Sequence, residues 1–457
     1  MRERLENVCG GRFAAIAVIS LTLLGLGLRL DYAMEAPQKP VDDARAYARI
    51  SQALYEGEGY TQGRGYEHLQ SASNYQPGLP LFVTGVYELR GEPDQTAARI
   101  VLALLAAFAV PFAFLLGRRL AGPAAGLIAA AAVAVYPALL EYTGMLMTEP
   151  VGTALLAGMT LLYLRAREGT RRWPWAVAGV ALGALVMLRP EYLLLVPILP
   201  LLALVAWDRS PRGSFPDSVS DKEPRGGIDR ALVGRAALMA GCALLVLLPW
   251  TVRNYVAFDR VVPISTGGGQ VIYAGSYLPA GPDPEAITED VLAEHPWIRE
   301  ELGPAPGKIY RGQALAALAE REHPDESTDT ALTRMALKAY VDNLRNEPLD
   351  LAGFVAGKVW FGWTEPARGI MRFPLWRALQ IAVLALGAVG LVVGLLRRRF
   401  DVAAIAAILL VETLVQAIFI ASPRRTLTLL PLTAALAGAG AVWLWDQRRK
   451  VGRPSYQ

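Results

Sequence analysis

Long apolar runs separated by short polar ones dominate this chain of 457 residues. The runs lie near 13–30, 97–117, 122–140, 149–164, 174–188, 191–207, 232–252, 374–396, 401–420 and 426–445. Most approach the roughly 20 residues that a helix needs to cross a hydrocarbon layer. The pattern predicts an all-α polytopic membrane protein with about ten transmembrane helices. A backbone in lipid must satisfy its own hydrogen bonds, which helices do within one segment.

Two longer polar stretches interrupt the apolar pattern, 31–96 and 253–372. They divide the chain into an N-terminal transmembrane module (1–252, with the loop 31–96), a long extramembrane segment (253–372) and C-terminal transmembrane helices (373–457). In the first stretch Tyr47, Ile50 and Leu54 recur at helical spacing while Arg45, Arg49 and Gln52 point elsewhere, the pattern of a juxtamembrane helix lying in the interface. Asp42 would cap it. Pro77 in NYQPGLPLF suits the start of a second short helix. In the second stretch 285–302 and 308–345 read as charged helices. The aromatic GKVWFGWTEP at 357–366 reads as a segment resting on the membrane surface, too short and too charged for a span.

Charge fixes an orientation. Arg2, Arg4 and Arg12, then Arg118 and Arg119, the basic run from Arg165 to Arg172, the loop from Arg209 to Arg235, Arg397 to Arg399 and Arg448 to Lys450 fall on one side if the spans alternate. By the positive-inside rule that side is the cytoplasm. Both termini are then cytoplasmic, and 31–96 and 253–372 are exterior, in a multi-pass cell (plasma or inner) membrane protein. The first span has a basic leader without a small-residue cleavage pattern and reads as a retained anchor. The net charge of +4 reflects this asymmetry. It is not the basic footprint of a nucleic-acid binder. The two cysteines, Cys9 at the cytoplasmic side and Cys242 within a span, are not expected to pair.

Several ionisable residues stand at the exterior boundary. Asp42 and Asp43 open the interfacial helix; acids there complement free N–H groups and the helix dipole, and equally suit a general base beside a hydroxyl. Glu149 in MTEPVG has the same two readings. Thr148 would be the N-cap with Glu149 and Pro150 in the first turn, whereas an acid at the bilayer edge often faces a polar cavity. Arg189, Arg253, Arg424 and Arg425 depart from the positive-inside pattern. Each can snorkel or pair with an acid such as Glu191, and together they can form an anion site, since guanidinium presents several fixed donors to phosphate. The glycine run STGGGQ at 265–270 lacks both the GxGxxG fingerprint and the Lys-Ser/Thr of a P-loop. The three histidines, His68, His295 and His323, show no metal spacing. No cofactor is expected; a divalent metal held with acidic residues is compatible with the composition but not indicated by it.

The order of DDARAYARISQALYEGEGY, YQPGLPLF, TEP, LRPEYLLL, LLPWTVRNYVAFDRVVPISTGGGQVIYAGS and the late SPRRTLTLLPLTAALAGAG resembles the GT-C glycosyltransferases. The branch it resembles most is that of the protein O-mannosyltransferases and lipid A aminoarabinose transferases, a glycosyltransferase family 39-like group. It covers about the first 280 residues well and the last 40 loosely. The resemblance implies a GT-C-type fold with exterior juxtamembrane helices and a catalytic acid in the first exterior loop, which maps to Asp42, with Asp43 in place of the commoner Glu. The acid of the next exterior turn maps to Glu149. The arginine near the last span maps to Arg424 or Arg425, where Arg-Arg-Thr replaces an Arg-Tyr-Arg-like motif. Arg189, Arg253 and Asn254, with Tyr75 and Gln76 of YQPGLP, are then candidate substrate contacts. The aminoarabinose branch tends to carry Lys at the position of Gln76.

The implied activity is that of an inverting glycosyltransferase. It would move a sugar from a polyprenyl phosphate donor to a hydroxyl of a glycan, lipid or protein acceptor at the exterior face, among membrane lipids. The competing class is a transporter or flippase of a lipid-linked sugar. That class predicts paired inverted halves with broken helices, and no matching pair of interrupted segments is visible.

Overall fold

The computed structural model describes residues 11–35, 40, 42–61, 74–205, 229–279, 281, 286–302 and 309–451. Among them every regular element is helical. The chain begins with α1 (Arg12–Glu35), followed by α2 (Asp42–Tyr55) and α3 (Gly78–Arg90). Next, α4 (Gln95–Ala107) and α5 (Ala109–Ala121) run on as one apolar length. Helices α6 (Pro123–Val135) and α7 (Pro137–Thr143) are bent by 49° at Tyr136. Then come α8 (Glu149–Glu168), α9 (Trp173–Leu188), a 3-10 turn at Pro190–Leu194, α10 (Leu195–Leu204) and α11 (Arg230–Phe258). The polar segment holds α12 (Gly268–Ser276), α13 (Ala286–Glu294), α14 (Trp297–Glu301), α15 (Arg311–Glu322), α16 (Thr328–Asn346) and α17 (Pro348–Thr364). The chain closes with α18 (Pro374–Leu396), α19 (Phe400–Ile418), a 3-10 segment at Pro423–Leu429 and α20 (Leu430–Val451).

Among the described residues six helices are by length and composition able to cross a membrane, or seven if the bent pair α6–α7 counts as one span. The expected ten is therefore not established. Helices do form at the remaining expected positions, but α9 has 16 residues and α10 has 10 with Pro200 inside. At about 1.5 Å per residue both fall short of a ~30 Å core. Helix α8 carries Glu149 at one end and Arg165 and Arg167 at the other.

Helices in lipid gain nothing from leaving water, so they associate where small residues let backbones approach. The contact of α18 with α20 shows this. A methyl group added at Gly440 would strike the carbonyl of Leu386, and one at Gly390 would strike that of Leu436. The bend at Tyr136 has a different support. Pro137 has no N–H to offer the Val133 carbonyl one turn back, and buried Arg29 of α1 reaches it. Its guanidinium donates to Val133 O at 3.1 Å, to Ala134 O at 3.3 Å and to Gly25 O at 2.9 Å.

Polar contacts sort the loops into two ends. At one end Arg119 pairs with Glu168 at 2.5 Å, Arg167 donates to Ala203 O, Arg235 donates to Gly169 O, and Arg399 holds Asp401 and the carbonyls of Arg119 and Leu120. These are the basic loops grouped by charge in the sequence. The other end gathers Asp43, Glu149, Arg189 and Arg424, beside the segment 259–347.

That segment has its own core, in which Ile287, Val291, Leu292, Leu315, Leu318 and Leu332 pack with Ile420 from the far end of α19. The loop before α12 is closed by Asp329 of α16, whose carboxylate accepts from the N–H groups of Gly267 (3.0 Å) and Gly269 (2.7 Å). Gly267 sits at φ +92, where a side chain would be strained. The amides that a phosphate would use are thus occupied by a carboxylate, so the glycine run is a built turn.

Candidate functional site

Helix α2 buries Tyr47 and Ile50 and leaves Arg45 and Gln52 exposed, as its pattern predicts. This rotation turns Asp43 toward the 3-10 segment before α20. There the Asp43 carboxylate receives an Arg424 N–H at 2.5 Å. The backbone of Asp42 begins α2, and its side chain lies outside the described residues, as does His68.

From Asp43 inward, acids and arginines alternate. Arg424 Nε stands 3.6 Å from Glu149 Oε1, Arg189 stands 3.4 Å from the same oxygen, and Arg189 Nε donates to Glu191 at 2.8 Å. Five residues from α2, the start of α8, the turn after α9 and the segment after α19 thus form one row. Its outer pair is accessible, with side chains 31 % (Asp43) and 39 % (Arg424) exposed, whereas Glu149 is 2 % exposed. Buried charges are tolerated when paired and hydrogen-bonded. The row satisfies Glu149 between two guanidinium groups and leaves the Asp43–Arg424 end accessible.

The cap expected at Thr148 is not formed: that residue has helical backbone angles and no side-chain cap bond. Its hydroxyl lies instead 3.4 Å from Glu149 Oε2. Facing two arginines, the carboxylate is a better acceptor for that hydroxyl than a backbone arrangement the φ/ψ does not allow.

Tyr75 and Gln76 surround Tyr47, one helical turn beyond Asp43. Gln76 donates to the Tyr47 hydroxyl at 2.6 Å, and the Tyr75 ring meets Tyr47 edge to face at 5.4 Å between centroids. Burial, and next the negative charge of Asp43, push the Tyr47 phenol well above its usual range, so it stays a neutral hydroxyl beside the row.

Arg253 and Asn254 have other partners. The Arg253 guanidinium covers the rings of Tyr60, Trp250 and Phe258 and donates to Asn254 at 3.1 Å. Asn254 donates to the carbonyls of Val262 and Ile264 at 3.0 Å each, closing the turn after α11. Among the described residues their link toward the row is indirect: the Tyr60 hydroxyl, whose ring lies under the Arg253 guanidinium, donates to Tyr75 O at 3.0 Å. Of the two late arginines, Arg424 joins the row, while Arg425 donates to Ile420 O at 3.0 Å.

One residue was absent from the sequence reading. Glu412 of α19 is fully buried, its two carboxylate oxygens have no hydrogen-bond partner among the described residues, and it feels the charges of Glu191, Arg425 and Arg189. An acid in the middle of an apolar span, well beyond the first-turn Asp401, was the available signal. Among the described residues no group of His, Cys, Asp or Glu is arranged to hold a metal ion.

Residues 74–216 match the family model described as dolichyl-phosphate-mannose-protein mannosyltransferase. That stretch includes Gln76, Glu149 and Arg189. The archaeal oligosaccharyltransferase of Archaeoglobus fulgidus tethered with an acceptor peptide is similar over 98% of this chain and 51% of its own, with TM-score 0.56 and 14% identity. The chain has a GT-C-type fold. The same archaeal protein, AglB, in complex with an inhibitory peptide and a dolichol-phosphate matches with TM-score 0.55 and 14% identity over 97% of this chain and 52% of its own. This chain therefore spans about half the length of that oligosaccharyltransferase. ArnT from Cupriavidus metallidurans in the apo state overlaps with TM-score 0.38 and 15% identity, over 93% of this chain and 77% of that one. Among curated proteins no sequence matches.

Proposed function

We infer that this chain is an inverting glycosyltransferase that takes a sugar from a polyprenyl phosphate and gives it to an acceptor hydroxyl at the exterior membrane face. The observation that carries the reading is the row Asp43–Arg424–Glu149–Arg189–Glu191, open at its acid–arginine end. Carboxylate and guanidinium side by side at the mouth of a membrane helix bundle suit a proton acceptor beside an anion site. The family description matched by 74–216 names a dolichyl-phosphate-linked sugar, and the archaeal protein of similar fold was solved with a dolichol-phosphate. The exterior side is supported by the charge asymmetry of the loops, and nucleotide sugars are not available there.

In this reading the donor phosphate sits against Arg424, with Arg189 behind it. The acceptor hydroxyl loses its proton to Asp42 as its oxygen attacks the anomeric carbon, and the sugar–phosphate C–O bond breaks on the opposite face. The electron pair leaves with the phosphate, where guanidinium donors stabilise the developing charge. Asp43 and Glu149 position Arg424 from either side. A phosphate competing for Arg424 would loosen its bond to Asp43, linking donor arrival to a freer carboxylate at the mouth.

The test is single-turnover sugar transfer from a purified polyprenyl phosphoryl sugar in liposomes, with donor binding followed separately. Asp42→Asn keeps size and the helix start but removes the proton acceptor, so transfer falls by about 100-fold or more with binding retained. Asp43→Asn has a smaller effect. If Asp43→Asn alone is inactive the two roles are exchanged, and if both variants transfer at wild-type rate the reading fails.

A further inference from the structure

Helix α17 turns two different faces to its surroundings. Lys358 and Gly362 are buried, whereas Leu349, Ala352, Gly353, Ala356 and Trp360 are exposed. Leu349 is 84% and Trp360 70% accessible. These five positions follow the spacing of one helical face, and none is charged. In water such a face is a liability.

Two neighbouring spans give the depth of its C-terminal end. Trp363 Nε1 donates to Thr413 Oγ1 at 3.2 Å, and Thr413 lies six residues before Phe419, just past the end of α19. The Trp363 carbonyl accepts from Gln380 at 3.1 Å, six residues after Pro374 at the start of α18. At 1.5 Å per residue both rulers put the end of α17 about 9 Å below the mouth of the bundle. Six residues before the end of α17, the Lys358 ammonium is level with that mouth, donating to Phe419 O at 3.3 Å and to Gly275 O at 2.5 Å.

The chain then comes back. Arg368 pairs with Glu141 at 2.5 Å, and the Tyr142 hydroxyl donates to Ala367 O at 3.3 Å, at the end of α7 that leads to Glu149. The helix terminus left at depth is provided for: Gln380 donates to the carbonyls of Trp363, Thr364 and Glu365, and Arg377 also donates to Thr364 O. C-terminal carbonyls without such donors would be costly away from water.

We propose that α17 is a re-entrant membrane helix, dipping into the leaflet on the side of the charged row and returning to it, with its Leu349–Trp360 face against lipid hydrocarbon. Depth relative to α18 and α19 selects lipid as the occupant of that face. The surface segment read from the sequence is in this view an embedded one.

The experiment uses the full-length protein in liposomes with Cys9 and Cys242 replaced by Ser. An environment-sensitive fluorophore is placed on a single cysteine at Ala352, Ala356 or Trp360, with Asp342 as control. Nitroxide-labelled lipid quenches the three helix positions several-fold more than aqueous iodide does, and iodide dominates at Asp342. Iodide quenching of Ala356 as strong as at Asp342 overturns the proposal, and protection of all three from both quenchers does so too, by showing a protein partner on the face. A cysteine at Gly369, where added bulk meets nothing within 4 Å, reacts with an impermeant reagent from the same side as one at Glu300. Reaction from opposite sides would show that α17 crosses the membrane and would overturn re-entry.

Discussion

The two adjacent arginines after α19 illustrate how a single position acquires a task. Arg424 touches both Asp43 and Glu149, whereas Arg425 donates to the Ile420 carbonyl and meets Glu191 and Glu412 through its charge. Arg424→Gln is therefore expected to weaken binding of a polyprenyl phosphate analogue by about tenfold or more, the loss of one charge-assisted contact. Arg425→Gln is expected to weaken it less, and equilibrium binding to each purified variant checks the difference. The sequence could not rank the pair, because both stand at the same boundary and only their rotation about the chain separates them. Asp43, Glu149 and Arg189 stand out in the sequence as charges at the membrane boundary, Glu149 and Arg189 beside apolar runs and Asp43 at the start of an interfacial helix. Arg253 met the same criterion, yet it covers three rings. Position in a sequence marks a charge as expensive without saying what offsets it.

At the scale of elements, the bend between α6 and α7 depends on a side chain from another helix. Arg29→Met leaves the Val133 and Ala134 carbonyls without their donor, and each buried unsatisfied group costs roughly 1–3 kcal/mol. Pro137→Ala restores an N–H one turn beyond Val133. Thermal melts in detergent are thus expected to show Arg29→Met as destabilising in the wild-type background and less so beside Pro137→Ala, with a coupling of about 1 kcal/mol. Equal losses in both backgrounds would mean that Arg29 acts elsewhere. The apolar pattern announced α1, α4–α5, α11, α18 and α19, whose length alone satisfies the bilayer. It could not announce α17, whose apolar face is interrupted on the other side by Lys358. Nor could it fix α9 and α10, whose apolar runs are real but whose helices stop at Arg189 and near Val205.

Across the whole molecule, the contacts that collect Asp43, Glu149, Arg189 and Arg424 at one end and Arg119, Glu168 and Arg399 at the other fix which loops share a side. The loop charges give the side a name. In intact cells a cysteine at Glu300 is expected to react with an impermeant maleimide, and one at Arg171 only after the membrane is opened, with the native cysteines replaced. The reverse labelling would turn the molecule over and remove the argument for a lipid-borne donor.

Ile420 belongs to two parts of this architecture at once. Its side chain completes the core of the polar module, its N–H donates to Val271 O at 3.1 Å, and its carbonyl holds Arg425. A module with its own core invites exchange in the laboratory. A wholesale swap of 268–346 would take away the surface on which Ile420 rests, and with it the footing of Arg425, five residues on. Exchange on this scaffold is then a matter of gradual substitution within the resident module, or of transplants that carry the tip of α19 along with them.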